Sequence, residues 1–155
     1  MPVFDFIQWT QQTGGTLEKD GPIIQVEVSM PPALEEWFVQ NKLPVAAPIT
    51  GYALIDTGAS ISGIHEPVLN QLSIVPIDSI PVANTAGPGR AFVYPTRVSF
   101  PGLGVSDWPL SRVVGNQLNW QTSDGKNVIM LVGRDILKYF LMIYNGKFNG
   151  ITLSY

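Results

Sequence analysis

The sequence has no cysteine and a single histidine among its 155 residues. Disulfides, thiolate metal centres, cysteine nucleophiles and multi-histidine metal sites are therefore excluded. Charge is also scarce, at 14% of residues against about 25% in an ordinary domain. Lys and Arg number 9 against 12 Asp and Glu, and none of them cluster, so nucleic-acid binding has little electrostatic support. No stretch approaches the ~18 uninterrupted apolar residues that cross a bilayer as a helix. The opening Met1-Pro2-Val3-Phe4-Asp5-Phe6 lacks the basic start and apolar run of a targeting signal. These absences set the expectation of a cytoplasmic protein with no membrane partner, no metal and no cofactor.

What is present suits one domain with a proper core. Hydrophobic residues make up 45%, while Gly 15 and Pro 13 supply turns in a number that favours many short segments over a helical bundle. Residues 1–22 read as an N-terminal arm, with the linker-like patch Gln11-Gln12-Thr13-Gly14-Gly15. From Ile24 the pattern alternates, with Ile24, Val26, Val28 and Met30 on one face of a half-buried strand. After Pro31-Pro32, Leu34, Trp37 and Phe38 share a helical stripe that reads as a lid on the sheet edge or as a partner-binding face. A second strand, Tyr52 to Ile55, stops at Asp56-Thr57-Gly58. Glu66 to Leu72 has helical spacing. Strand segments 79–83 and 91–94 flank Asn84 to Arg90, which is turn chemistry throughout, so together they predict a hairpin. Phe92, Tyr94, Thr96, Val98 and Phe100 continue one alternating face. A strand follows near 108–114, then a polar stretch over 115–127. Val128 to Val132 is a continuous apolar run with both faces expected to be buried, and it breaks at Gly133-Arg134-Asp135. Asn145-Gly146 between two apolar runs predicts a terminal hairpin. The sum is an all-β small barrel with two or three short helices.

The chemistry concentrates in Ala53-Leu54-Ile55-Asp56-Thr57-Gly58-Ala59-Ser60. A carboxylate placed directly after an apolar strand sits in a drying environment, which raises its pKa. Gly58 lets another backbone approach closely, and its N–H can point at a carboxylate. Asp-Thr-Gly alone can be an ordinary turn, arising by chance in roughly a few per cent of chains this long. Two further features add weight. Leu131-Val132-Gly133-Arg134-Asp135-Ile136-Leu137 runs from apolar strand through a break into helix, and the Gly/Pro-tipped hairpin around Gly87 lies between the two strings.

In that order, these strings resemble the retropepsin-like aspartic proteases, the single-domain relatives of retroviral protease, over about residues 23–155. The resemblance implies a closed acid-protease barrel with a flap hairpin. It also implies a homodimer in which each subunit gives one catalytic aspartate, here Asp56. Thr57 would bond across the subunits beneath the catalytic pair, Gly58 would bond substrate main chain, and Ala59 would line the site. Ala86, Gly87, Pro88 and Gly89 would form the flap tip, and Arg134 would brace the active-site loop. The sequence departs from that pattern in its arm 1–22, its insertion 31–48, Pro88 in the flap, and Ser60 where an acidic residue often anchors the arginine. The terminal Ile151, Leu153 and Tyr155 are expected to build the dimer, being too apolar for a free edge strand.

Other readings compete. Gly58-Ala59-Ser60-Ile61-Ser62 fails the serine-hydrolase elbow at its last position, and His65 reads as the start of a short helix instead of a general base. Gly102-Leu103-Gly104 is a turn, lacking the remaining nucleotide-fingerprint glycine. Asp78, Asp107 and Asp124 have solvated loop contexts. Asp135 reads as a structural support that caps the helix after it by accepting from its first N–H groups, with a second carboxylate in a monomeric site as the alternative. The expected function is an aspartic endopeptidase that hydrolyses extended peptides with a water activated between two Asp56 carboxylates. The alternative is a catalytically silent peptide-binding or assembly module that keeps the fold.

Overall fold

The structure is a computed structural model that describes residues 15–84 and 87–155. In chain order the elements are α1 (Leu17–Asp20), β1 (Ile23–Ser29), α2 (Pro32–Gln40), β2 (Ile49–Ile55), β3 (Gly63–His65), α3 (Glu66–Gln71), β4 (Asp78–Asn84), β5 (Gly87–Phe100), β6 (Val105–Asn116), β7 (Trp120–Gln121), β8 (Asn127–Val132), α4 (Arg134–Leu137), β9 (Leu141–Asn145) and β10 (Gly150–Ser154). Short 3-10 turns cover Pro101–Leu103, where the Gly102-Leu103-Gly104 turn was expected, and Gly146–Phe148.

The strands β1, β2, β8, β3, β6 and β5 pair in that order, and β5 pairs back to β1, closing a 6-strand barrel. Closure leaves no free edge around the ring, which suits a chain with so few charges to guard one. The alternation in β1 builds this core: Ile24, Val26, Val28 and Met30 are all buried. Within the continuous run in β8, Val128, Ile129, Met130 and Val132 are buried, which takes in both faces as expected, while Leu131 is half-buried. The β5 alternation holds from Tyr94 to Phe100 but excludes Phe92, which is 53% exposed. The register shifts between Tyr94 and Thr96, and before Val93 the strand has left the ring to pair with β4 alone. Phe92 therefore lies on the part of β5 outside the ring, where no core covers it.

The hairpin β4–β5 is longer than its composition implies. Gly87, Pro88 and Gly89 are strand residues, with Ala83 paired to Pro88 and Val82 to Gly89. Pairing continues to Asn84 and Gly87, so of the seven residues expected as a turn over 84–90, Asn84 and Gly87 to Arg90 are paired strand. Pro88 fits because it faces a strand on one side only, where a missing N–H is tolerated. Ala86 lies outside the described residues.

Two attachments, α2 and the terminal residues 151–155, differ from the sequence reading. In α2 no residue is buried: Leu34 packs against the core, Glu35 pairs with Arg97, and Trp37 stands 52% exposed with its ring edge-on to Phe38. The helix is therefore fastened at one turn and covers little. The terminal hairpin β9–β10 forms a separate two-stranded sheet. Ile151 and Leu153 are buried in their own chain's core and not at the surface expected of them, while apolar surface is exposed on β9 and at Tyr155, with Leu141 59%, Ile143 53% and Tyr155 47% exposed. Each of the loop aspartates Asp78, Asp107 and Asp124 has a basic neighbour at the surface: Arg112, Arg97 and Lys126 respectively.

The described part of the arm is tied down by Asp20, which is 6% exposed. Its carboxylate accepts from Ser123 N at 2.7 Å, Ser123 Oγ at 2.6 Å and Thr16 N at 3.0 Å. The Ser123 hydroxyl, against the opposing cost of burial and with help from backbone N–H groups, holds Asp20 below the usual carboxylate range. Asn149 and Tyr144 fasten the same helix, through Leu17 N at 2.7 Å and Leu17 O at 3.3 Å. A carboxylate lowered in the folded state stabilises above its unfolded pKa, and that stability is lost as pH falls through the folded value. Asp20→Ala should therefore cost about 1–3 kcal/mol near neutral pH. The gap between wild type and variant in thermal unfolding should close as pH drops below the ordinary aspartate range. A gap that persists unchanged in acid would assign the loss to packing alone.

Candidate active site

Asp56 follows β2 directly. β2 and β8 run parallel, with Ile55 opposite Val132, and Asp56 N donates to Val132 O at 2.9 Å. The chain then turns sharply, with Ala59 N donating to Asp56 O at 3.2 Å. Gly58 N donates to Asp56 Oδ1 at 2.9 Å, which fixes the carboxylate against the turn. A Cβ on Gly58 would stand 3.1 Å from that oxygen, so glycine permits the contact. Asp56 is half-buried while Thr57 and Gly58 are exposed.

A second loop interlocks with the first. Arg134 N donates to Ala59 O at 2.9 Å. The Arg134 guanidinium donates through Nη1 to Thr57 O at 2.8 Å and Gly58 O at 3.0 Å. The arginine thus grips the loop by its carbonyl oxygens and needs no acidic anchor at position 60. Behind it lies a buried clamp. Ser62, fully buried, donates through N and Oγ to the two oxygens of Asp135, at 3.0 and 2.7 Å. Gly133 N donates in turn to Ser62 Oγ at 2.9 Å. A Cβ on Gly133 would meet Ile61 C at 2.9 Å and Ser62 N at 3.0 Å, so only glycine lets the loops approach this closely.

Asp135 is a structural support that accepts from a first-turn helix N–H, as expected, although its main partner is Ser62. Gly133 occupies the cap position of α4. Asp135 accepts from one helix N–H, that of Ile136 at 3.0 Å, but spends the rest of its capacity on Ser62. A carboxylate committed in this way is a brace for the Asp56 loop and is not free to act as a second acid. His65 sits at the start of α3, as expected, and its Nδ1 accepts from Leu118 N at 3.1 Å. That nitrogen is occupied by a structural bond.

The hairpin β4–β5 faces this loop. A space of about 500 Å³ lies between them, walled by Gly58, Ala59 and Ile61 below, Ile80 and Val82 above, and Leu131 from β8. Gly87, Pro88 and Gly89 are farther out along the hairpin and do not wall it. Sequence reasoning missed Ser62 and the cleft walls Ile80, Val82 and Leu131. Which serine of Ser60-Ile61-Ser62 points inward depends on the register of β3 against β6 and β8, which no local pattern shows. Among the described residues no group of His, Asp and Glu is placed to hold a metal ion, and no helix is long and apolar enough to cross a membrane.

No family model matches the chain, and no curated protein does. Among solved structures, the chain is similar to the solution structure of simian foamy virus (mac) protease at 14% identity. That match covers 76% of this chain and 92% of the other, with a TM-score of 0.44. The barrel described above rests on its own strand pairing.

The clamp is open to test. Ser62→Ala strands Gly133 N and removes a donor from Asp135 inside the protein, and should cost about 1–3 kcal/mol. The denaturant midpoint should fall with an unchanged slope. No change in midpoint would show that the two loops do not depend on Ser62.

Proposed function

We propose that the protein is an aspartic endopeptidase that acts as a homodimer. The observation that carries this reading is the placement of Asp56: a half-buried carboxylate at a strand end, fixed by Gly58 N–H beside a cleft that the β4–β5 hairpin roofs. One chain supplies one such aspartate, and the other carboxylate of the two interlocked loops, Asp135, is engaged by Ser62. A second copy of the chain is the natural source of the partner group. The exposed Thr57 and Gly58 are the residues through which two such turns would meet.

In the dimer two Asp56 carboxylates would share one proton, because like charges so close cannot both ionise. The ionised member takes a proton from a water between them as that water's oxygen attacks the peptide carbonyl carbon. The protonated member gives its proton to the carbonyl oxygen, producing a tetrahedral diol. Collapse of the diol breaks the C–N bond. The carboxyl that gained the water proton delivers a proton to the leaving amine, and the other recovers one from a diol hydroxyl. Neither metal nor covalent intermediate takes part. The substrate runs extended between Gly58 and the hairpin, pairing its main chain with both. The hairpin acts as a flap, opening to admit the chain and closing to exclude water.

Asp56→Asn tests this reading. The change is nearly isosteric and keeps an acceptor for Gly58 N–H, but it removes the base. Cleavage of unstructured peptides, followed by mass spectrometry, should fall by at least about 10²–10⁴-fold. The melting temperature and sedimentation should stay close to wild type. Activity retained in a folded Asp56→Asn protein would overturn the assignment.

A further inference from the structure

Beside the cleft floored by Gly58, Ala59 and Ile61 lies a second space of about 580 Å³. The two share the walls Val82, Ala91, Asn116 and Leu131, so they adjoin. The far wall holds Glu66, the first residue of α3. Its Oε1 accepts from Tyr94 Oη at 2.6 Å and its Oε2 from Gln117 Nε2 at 3.0 Å. Both donors are neutral, and among the described residues no cation pairs with Glu66. A carboxylate offers about four lone-pair sites, so roughly two remain for a further donor. Tyr94 is 2% exposed, and its rigid ring fixes where the carboxylate stands. Burial, then the hydrogen bond and charge of Glu66, push the Tyr94 phenol up to about 12, so the phenol stays a donor throughout the working range. The cation lining the same space, Arg90, is turned onto Ser79 through three bonds of 2.7 to 3.2 Å.

We propose that this space is a specificity subsite that takes a basic side chain, lysine or arginine, of the peptide bound over Asp56, with Glu66 as its acceptor. The inference rests on the peptidase reading for the peptide's path. The chemistry suits a long amphipathic side chain: its methylenes would lie over Leu131, Val82 and Ala91, and its charged end would reach the half-buried Glu66. Glutamate in the same place would meet a like charge, and leucine would leave the remaining acceptor sites unfilled.

The test is a positional scan. Peptides that differ at one position at a time, carrying Lys, Gln, Leu or Glu, are assayed with wild type, Glu66→Gln and Gln117→Lys. Glu66→Gln keeps an acceptor for Tyr94. Gln117→Lys changes an exposed residue and supplies an ammonium from the chain itself, so it serves where the first variant folds poorly. At one position Lys should exceed Gln by roughly ten- to hundredfold in kcat/KM, as expected for a hydrogen bond to a charged group. The preference should disappear in both variants and shrink as salt is raised. In parallel, calorimetric binding of the uncleaved lysyl peptide to Asp56→Asn, alone and combined with Glu66→Gln, reads the subsite without catalysis. Cleavage with no lysine preference, or with one that survives in both variants, would overturn the subsite and leave the peptidase reading standing. Glu66-dependent binding without cleavage by wild type would uphold the subsite and overturn the peptidase reading. Binding that is absent, or indifferent to Glu66, counts against the subsite whatever the cleavage assay shows.

Discussion

Everything near Asp56 depends on two loops being held against each other inside the barrel. The parallel pairing of β2 and β8 brings the ends of two distant segments side by side, 56–62 and 133–135. A parallel pair has no tight turn of its own to fix its ends, so other bonds must do it. The buried Ser62–Asp135 clamp and the Arg134 grip on the Thr57 and Gly58 carbonyls supply them. The glycines at 58 and 133 are part of the same constraint, since each stands where a side chain would force the loops or the carboxylate apart.

From that junction the rest follows in layers. β3 continues directly from the clamped loop and inserts between β8 and β6, which helps to close the ring. Closure in turn sets the β4–β5 hairpin, through Ile80 to Ala83 and Ala91, across the cleft from Gly58 to Ile61, because β5 belongs to the barrel only from Val93 onward. The hairpin beyond that point has strand pairing but no packed layer on its outer side, and such segments open at lower cost than a core strand. The single chain thus presents a firmly held carboxylate, an exposed Thr57-Gly58 turn beside it, and apolar surface on β9 and at Tyr155. Under the proposed function, each is half of an arrangement that a second copy would complete.

Much of this was legible in the residues. Alternation located β1, the apolar run located β8, and Asp-Thr-Gly with Gly-Arg-Asp marked the two loops that meet. What could not be read depends on long-range register. Gly87, Pro88 and Gly89 are turn formers by composition, yet cross-strand pairing with Val82 to Asn84 draws them into a strand. Trp37 and Phe38 share a stripe with Leu34, but Leu34 packs against the core and Glu35 pairs with Arg97 while Trp37 stands exposed. Ile151 and Leu153 look like interface residues until the hairpin folds them inward, leaving β9 outside. Asp135 beside an arginine suggests a cap, and only the three-dimensional approach of Ser62 shows it to be a brace. Asp20 gave no signal at all, because its partner Ser123 is about a hundred residues away.

The central claim is that two Asp56 carboxylates, one from each of two chains, form a single site. Its most direct test is subunit mixing. Wild-type and Asp56→Asn chains are combined at fixed total concentration, allowed to exchange, and assayed for peptide cleavage. If both aspartates are needed, activity follows the square of the wild-type fraction, and an equal mixture retains about one quarter of the wild-type rate for a symmetric dimer. Activity that falls in simple proportion, to about one half, would mean that each chain works alone, and would contradict the account.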